Sequence, residues 1–354
     1  MNPFNKKEYI ALLVLLTAVT LILSGWRNYR LHNTSAIQSD IPIEIYLHDR
    51  TGLETLIEKM DSLGVIVDSE ELRWAGRVLG WRNFRSGLYI VDGSHSYDEF
   101  LSNMAKGIQN AASVTILSGS DPERIAITLG NQLRADADEF SKIFSDSSDM
   151  AQELNLSGEE LFSRMLPNTY QIYWTSSPEN AVQRVYNEFN RLIADRYQDE
   201  ISESSYSLSE IITLASIVEM EAKVAEEKPR IAGLYLNRLN RNMRLQADPT
   251  VIYALGERRR LLFEDYRLDH PYNTYIHTGL PPGPITNPDE ASIRAVLNPE
   301  SHDYLFMVAA PDGSHRFSRT FEEHRQASAE WRRWIQEQYR LRDERERLES
   351  ENQE

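Results

Sequence analysis

Residues 207–256 read SLSEIITLASIVEMEAKVAEEKPRIAGLYLNRLNRNMRLQADPTVIYALG, and this stretch decides how the chain is organised. It opens with a capping box: Ser207 can accept from the amide of Glu210, and the Glu210 carboxylate can reach back to the amide of Ser207. Apolar residues recur at Leu208, Ile211, Ile212, Ala215, Val218 and Ala222, the spacing of a helix with one buried face.

Two carboxylates sit near the end of this helix. At about 100° per residue, Glu219 lies roughly 20° from Ile212 and falls on the apolar face, while Glu221 lies roughly 180° away. A carboxyl on an apolar face loses hydration, so its pKa rises, which is how a general acid is made at neutral pH. The competing reading is that Glu219 pairs with an arginine such as Arg230 or Arg238. Glu221, facing the other way, is the weaker candidate for the acid.

Downstream, Pro229 suits the first turn of a second helix, with Glu226 and Glu227 near its start. That helix carries Ile231, Leu234, Tyr235 and Leu239 on one side, with Asn237 and Arg238 beside them. Asp248-Pro249 reads as a cap followed by a proline at the first helical position, and Gly256 closes the short helix. Several words here resemble the endolytic murein transglycosylases (MltG/YceG-like): LASIVEMEA (214–222), IAGLYLNRL (231–239), MRLQADPTVIYALG (243–256), YNTYIHTGLPPGPITNP (272–288) and YLFMVAAPDGSHRFSRT (304–320). They occur in family order over roughly 110 residues, and that density makes the resemblance specific. It implies an enzyme that cuts glycan strands of peptidoglycan, with the glutamate of the IVE word, Glu219, as catalyst.

Composition sets outer limits. The 354 residues carry a formal net charge of -16, which argues against a phosphate-tracking nucleic-acid binder. Hydrophobic content of 41% and charged content of 26% are those of a globular chain. With no cysteine, thiol nucleophiles and Cys-ligated metals are excluded. The eight histidines form no H-E-x-x-H, and there is no G-x-S-x-G elbow or phosphate-binding P-loop. No metal and no cofactor is expected.

Taken in order, residues 1–8 read as a short cytoplasmic N-terminus and residues 9–26 as a transmembrane helix. These 18 uncharged residues cover roughly 27 Å, enough for a bilayer core. The run exceeds a usual signal-peptide core and no A-x-A site follows, so a retained anchor in the cell (inner) membrane is favoured over a cleaved signal, with the rest of the chain extracytoplasmic. Residues 27–40 read as a linker. Between 41 and 135 a strand–turn–helix pattern recurs three times, with capping boxes at Thr51–Glu54, Ser96–Glu99 and Ser120–Glu123, which points to one or two small α+β modules. The resemblance implies that these are LysM-like and hold glycan; a plain spacer is the alternative.

Residues 136–340 form the expected catalytic domain, mixed helical and β, and 341–354 a charged tail. The fold class expected is α+β. The loop His270–Pro288 is stiffened by five prolines and offers Tyr272, Asn273 and Tyr275, whose hydroxyl, amide and ring faces suit a sugar; the alternative is that the tyrosines are core. Gln246, Asp248 and Asn273 are candidates to line the reacting ring, though Asp248 is also explained as a cap. Asn287–Glu290 reads as the cap of a further helix, residues 304–317 as a hairpin, and Thr320–Glu323 as the cap of a last helix.

The chemistry implied is proton donation to the glycosidic oxygen by one glutamic acid. The sugar's own C6 hydroxyl then attacks, leaving a 1,6-anhydro end. The rival reading is a non-catalytic glycan-binding scaffold. Peptidoglycan strands are the expected partner, and the anchor would keep the site near cell-wall synthases at the membrane.

Overall fold

The structure, a computed structural model, describes residues 5–351, apart from the side chains of Ile66, Arg347, Leu348, Ser350 and Glu351. The first four residues of the expected cytoplasmic segment and the last three of the charged tail lie outside the described residues. The chain forms two compact units. One holds the described residues through Ser113 with Gln132–Arg134 and Gln171–Ser176; the other holds Val114–Asn131, Ala135–Tyr170 and the described residues from Ser177 onward.

The first unit begins with helix α1 (Lys6–Leu31), long and apolar enough to cross a membrane and unburied along its apolar window. It runs on past Trp26 into the stretch read as linker because its last turn is tied down. Leu31 joins the unit's core, Arg30 pairs with Glu71, and the Arg30 guanidinium lies 3.7 Å from the Trp74 ring centre. There follow β1 (Ile37–Leu47), β2 (Thr51–Gly52), α2 (Leu53–Ser62), β3 (Ile66–Val67), α3 (Ser69–Leu79), β4 (Asn83–Phe84), β5 (Gly87–His95) and α4 (Tyr97–Lys106). The sheet order is β3–β1–β5, with β1 and β5 antiparallel from Ile43 opposite Val91 to Leu47 opposite Gly87. Ile45, Leu56, Met60, Leu72, Phe84, Val91 and Met104 fill the space between sheet and helices.

The caps were partly readable. Ser96 accepts from the Glu99 amide as expected. The Thr51 box does not form: Gly52 is the N-cap of α2, and the Thr51 hydroxyl donates to the Asp49 carbonyl instead.

The second unit continues through β6 (Ala111–Ile116), α5 (Pro122–Gln132), α6 (Ala137–Ile143), α7 (Asp149–Leu154), α8 (Gly158–Ser163), β7 (Asn168–Tyr173), α9 (Pro178–Phe189) and α10 (Gln198–Glu203). The chain changes unit within β6 and within β7. Then come α11 (Leu208–Glu221), α12 (Lys228–Asn240), α13 (Asp248–Leu255), α14 (Glu290–Leu297), the hairpin β8 (Phe306–Ala309) and β9 (His315–Ser318), and α15 (Phe321–Glu351). Asp121, not Ser120, caps α5 by accepting from the Arg124 amide. Asp289, not Asn287, caps α14; the buried Asn287 amide instead donates to the carbonyls of Leu117 and Met165.

Helix α11 is the centre of this unit. Its Ser207–Glu210 capping box forms as read. Every residue from Ile211 to Val218 is buried, because α8, α12, α13 and α14 all pack against it. A helix enclosed on all sides is a core element rather than an amphipathic surface helix. The one-face reading is therefore corrected: α11 has no solvent side along these turns.

Candidate active site

The enclosure of α11 sends its two terminal carboxylates into different surroundings. Glu219 faces the start of α12 and the start of α14. Its Oε2 accepts from Lys228 Nζ at 2.9 Å, from the Ser292 hydroxyl at 2.6 Å and from the Asp289 amide at 3.3 Å. Lys228 also donates to both oxygens of Asp289 at 2.8 Å. The Glu219 and Lys228 side chains are 9% and 7% exposed. Burial alone would raise the Asp289 carboxyl, but the Lys228 ammonium and the Ser292 amide outweigh it and hold it below the usual range. The cluster pins three helices together.

The arginines weighed as partners of Glu219 are engaged elsewhere. Arg230 binds Glu300, and Arg238 donates to the carbonyls of Leu305 and Leu245. The ion-pair reading of Glu219 holds in kind, with a different cation.

Glu221 opens instead into a cavity of about 280 Å³, lined among others by Tyr235, Arg238, Gln246, Asp248, Tyr275 and His315. Its carboxylate accepts from the Tyr235 hydroxyl at 3.2 Å. Burial, followed by the negative charge of Asp248, pushes its pKa up to about 7. The Tyr235 hydroxyl, Arg238 and Lys223 work the other way and do not cancel it. A partly protonated carboxyl at neutral pH, in an open cavity, is equipped both to give and to take a proton.

The floor of the cavity is built by a strained turn. Gln246 has φ of 51°, an uncommon left-handed conformation for a residue with a side chain. The loop after α13 holds it there: the Gln246 amide donates to the Thr274 carbonyl at 3.1 Å, and the Ala247 amide to the Thr274 hydroxyl at 3.0 Å. Ala247 is the N-cap of α13, so Asp248 stands inside the first turn and does not cap it. Its carboxylate is taken by two hydroxyls instead, Tyr275 at 2.6 Å and Tyr266 at 3.3 Å. The cap reading of Asp248 is corrected by these long-range bonds. On the opposite wall, His315 is fixed by Glu227, which accepts from its backbone amide at 2.9 Å and meets Nδ1 at 2.8 Å.

Of the residues expected to touch glycan, Gln246, Asp248 and Tyr275 therefore gather around one carboxyl, and it is Glu221. Asn273 is 0% exposed and has no surface to offer a ligand. Its amide ties the loop by donating to Tyr266 and Leu268, while its oxygen accepts from the Tyr275 amide. Tyr272 is buried against Tyr253 and His270, the core alternative for that ring. Asn273 and Tyr272 thus shape the loop that carries Tyr275. Tyr235, Arg238 and His315 line the cavity and Tyr266 steadies Asp248, roles the sequence reading does not assign; the three lining residues lie in the words quoted above, but no spacing rule marks them. Among the described residues no group of three or more His, Asp or Glu side chains is placed to hold a metal ion.

The YceG-like family model matches residues 45–330. The endolytic murein transglycosylase of Bacillus subtilis is 27% identical over 297 residues, covering 79% of this chain and 81% of that protein. That of Streptococcus pneumoniae strain D39 is 25% identical over 321 residues; the match takes in 81% of this chain and 58% of the pneumococcal protein. A crystal structure of a YceG-like protein from Listeria monocytogenes superposes with a TM-score of 0.57 at 27% identity, covering 81% of this chain and 99% of that one.

Proposed function

Because the chain belongs to the YceG-like family, we propose that it is a lytic transglycosylase acting within peptidoglycan strands and that Glu221 is its acid and base. The observation that carries this reading is the Glu221 carboxyl, raised to about 7 in a cavity that also presents Gln246, Asp248 and Tyr275. Helical position and resemblance both point to Glu219 from the sequence. That residue is already committed to Lys228, Ser292 and the Asp289 amide, so its proposed duty is to fix the last turn of α11.

The reaction balances on one carboxyl. Neutral Glu221 donates its proton to the oxygen joining MurNAc to GlcNAc, and the C1–O bond breaks with its electron pair leaving on that oxygen. Positive charge grows on the MurNAc ring, and the Asp248 carboxylate, held by Tyr275 and Tyr266, is placed to oppose it. The C6 hydroxyl of the same sugar then bonds to C1, and its proton returns to Glu221. No water is consumed, the product carries a 1,6-anhydro end, and the enzyme is restored. A second catalytic carboxylate acting as nucleophile or base is not required, unlike in ordinary glycosidases.

Helix α1, the one span-length apolar helix among the described residues, would anchor the chain, with the catalytic unit on the extracytoplasmic face where peptidoglycan lies, near the synthases that extrude new strands. The β–α–α–β run from β1 to β5 is our candidate for the LysM-like module, with a role in holding glycan.

The test is digestion of purified glycan strands by the full chain in neutral detergent, read by mass spectrometry for anhydro ends. Glu221→Gln should form none above background while Glu219→Gln still forms them. Anhydro ends from Glu221→Gln at the parent rate would remove the assignment, and none from the folded parent protein would favour a glycan-binding scaffold.

A further inference from the structure

The first unit carries a cavity of its own, about 670 Å³, lined by Arg50, Trp81, Arg82, Asn83, Arg85 and Gln109 among others. No Asp or Glu lines it, although the chain as a whole is strongly acidic. None of the three guanidinium groups is paired with a carboxylate among the described residues.

The backbone forces these charges together. Strands β2 and β4 pair antiparallel, with Thr51 opposite Phe84 and Gly52 opposite Asn83. Arg50 and Arg85 flank the same end of this short ladder, Arg50 just before Thr51 and Arg85 just after Phe84, and Arg82 immediately precedes β4. Like charges gathered at one end of a strand pair repel. No carboxylate among the described residues pairs with them.

A second observation points to a ligand. Gln109 donates through Nε2 to the Thr175 hydroxyl at 2.7 Å, which fixes its amide. Its Oε1 is buried and has no partner. An unsatisfied buried acceptor on the wall of a cavity is costly unless something arrives to donate to it. Trp81 is held by a bond from its indole nitrogen to the Ser102 hydroxyl at 3.2 Å and gives the cavity a flat apolar wall.

We propose that this cavity binds a phosphoryl group carried next to a hydroxyl. Arg50, Arg82 and Arg85 take the oxyanion, and Gln109 Oε1 accepts the hydroxyl proton. Forked guanidinium donors match phosphate oxygens, and three of them exceed what a single carboxylate would neutralise. The same chemistry is presented by a soluble phosphorylated polyol and by the headgroup of phosphatidylglycerol. The site is separate from the Glu221 cavity and does not depend on the reaction proposed there.

Calorimetric titration of the full chain in neutral detergent with glycerol 3-phosphate, at fixed ionic strength, tests the site. Saturable binding is expected, weakened about tenfold or more in Arg50→Gln/Arg85→Gln and about threefold or more in Gln109→Leu. The double variant should fold, since it relieves repulsion, and its melting temperature without ligand should equal or exceed that of the parent. Glycerol 3-phosphate should raise the parent melting temperature and leave the double variant unmoved. With the chain in nanodiscs, affinity retained in both phosphatidylcholine and phosphatidylglycerol assigns a soluble ligand. Affinity lost only in phosphatidylglycerol assigns the headgroup, and both outcomes uphold the site. No saturable binding to the parent, or the same affinity in the double variant, overturns it.

Discussion

Glu219 and Glu221 are two residues apart on one helical turn, yet one is paired with an ammonium and the other feels the negative charge of Asp248. On the Glu219 side, Lys228 stands between Glu219 and Asp289 and compensates buried charge. On the Glu221 side, Asp248 adds to the effect of burial, so the protonated form is favoured. The contrast teaches that sequence neighbours do not share an environment once a helix is enclosed on every side. The charge that other helices bring up, the Lys228 ammonium at Glu219 and the Asp248 carboxylate at Glu221, separates a structural carboxylate from the proposed proton donor.

The largest expected effect breaks the Glu221 side. Glu221→Gln should lower the turnover for anhydro-end formation by about a thousandfold or more, with little change in melting temperature, since a general acid contributes about 10²- to 10⁴-fold and here serves twice. A residual rate within tenfold of the parent would put Glu221 on a par with its neighbours.

Breaking the Glu219 side should instead cost stability. Lys228→Met leaves the buried Glu219 carboxylate facing the half-buried Asp289 with no cation between them, and removing one partner of a buried pair such as Lys228–Glu219 costs about 3–5 kcal/mol. Thermal unfolding should show the loss, while turnover per folded molecule stays within about tenfold. A fully stable variant without activity would reverse the two roles.

Asp248→Asn sharpens the comparison by removing the charge that helps raise Glu221. The acid then ionises at lower pH, so the basic limb of the pH–rate profile should move down, with a rate loss of about tenfold. A limb that moves up, or stays, would detach Asp248 from Glu221.

A smaller effect reads the same shift as stability. The Glu221 carboxyl takes up or loses its proton near 4.5 when free of burial and near 7 in the fold. Between those values the folded chain binds more protons than the unfolded one. This contribution to stability is therefore present below about 4.5 and is lost as pH rises through about 7. Glu221→Gln should flatten that slope in denaturant titrations. The smallest is Tyr235→Phe: it deletes a hydroxyl that favours the charged form, so the basic limb should move up slightly, by a few tenths of a pH unit.

Local chemistry was legible in the chain. The capping box at Ser207, the helix after Pro229, the closing Gly256 and the hairpin from Phe306 to Ser318 all follow from short-range rules and all form. The length and apolarity of residues 9–26 gave the anchor candidate for the same reason. What spacing could not supply was the identity of partners brought from far along the chain. Helical angle placed Glu219 and Glu221 on opposite sides, correctly, but only packing by four other helices shows that neither side is solvent. Asp248 looked like a cap because Asp-Pro so often is one; Tyr266 and Tyr275, 18 and 27 residues later, claim its carboxylate. Asn273 looked like a sugar contact and is a loop tie for the same kind of reason. Helical angle and resemblance both point to the first glutamate of IVEME, and the geometry of the cavity favours the second.

The proposed catalysis needs one carboxyl half protonated near neutrality, and that can be read directly. Carboxyl-carbon NMR of the full chain labelled in its glutamates, with Glu221→Gln to identify the resonance, follows that group through a pH titration. A midpoint at about 7 is the expected result; a midpoint near 4.5, the ordinary value, would contradict it.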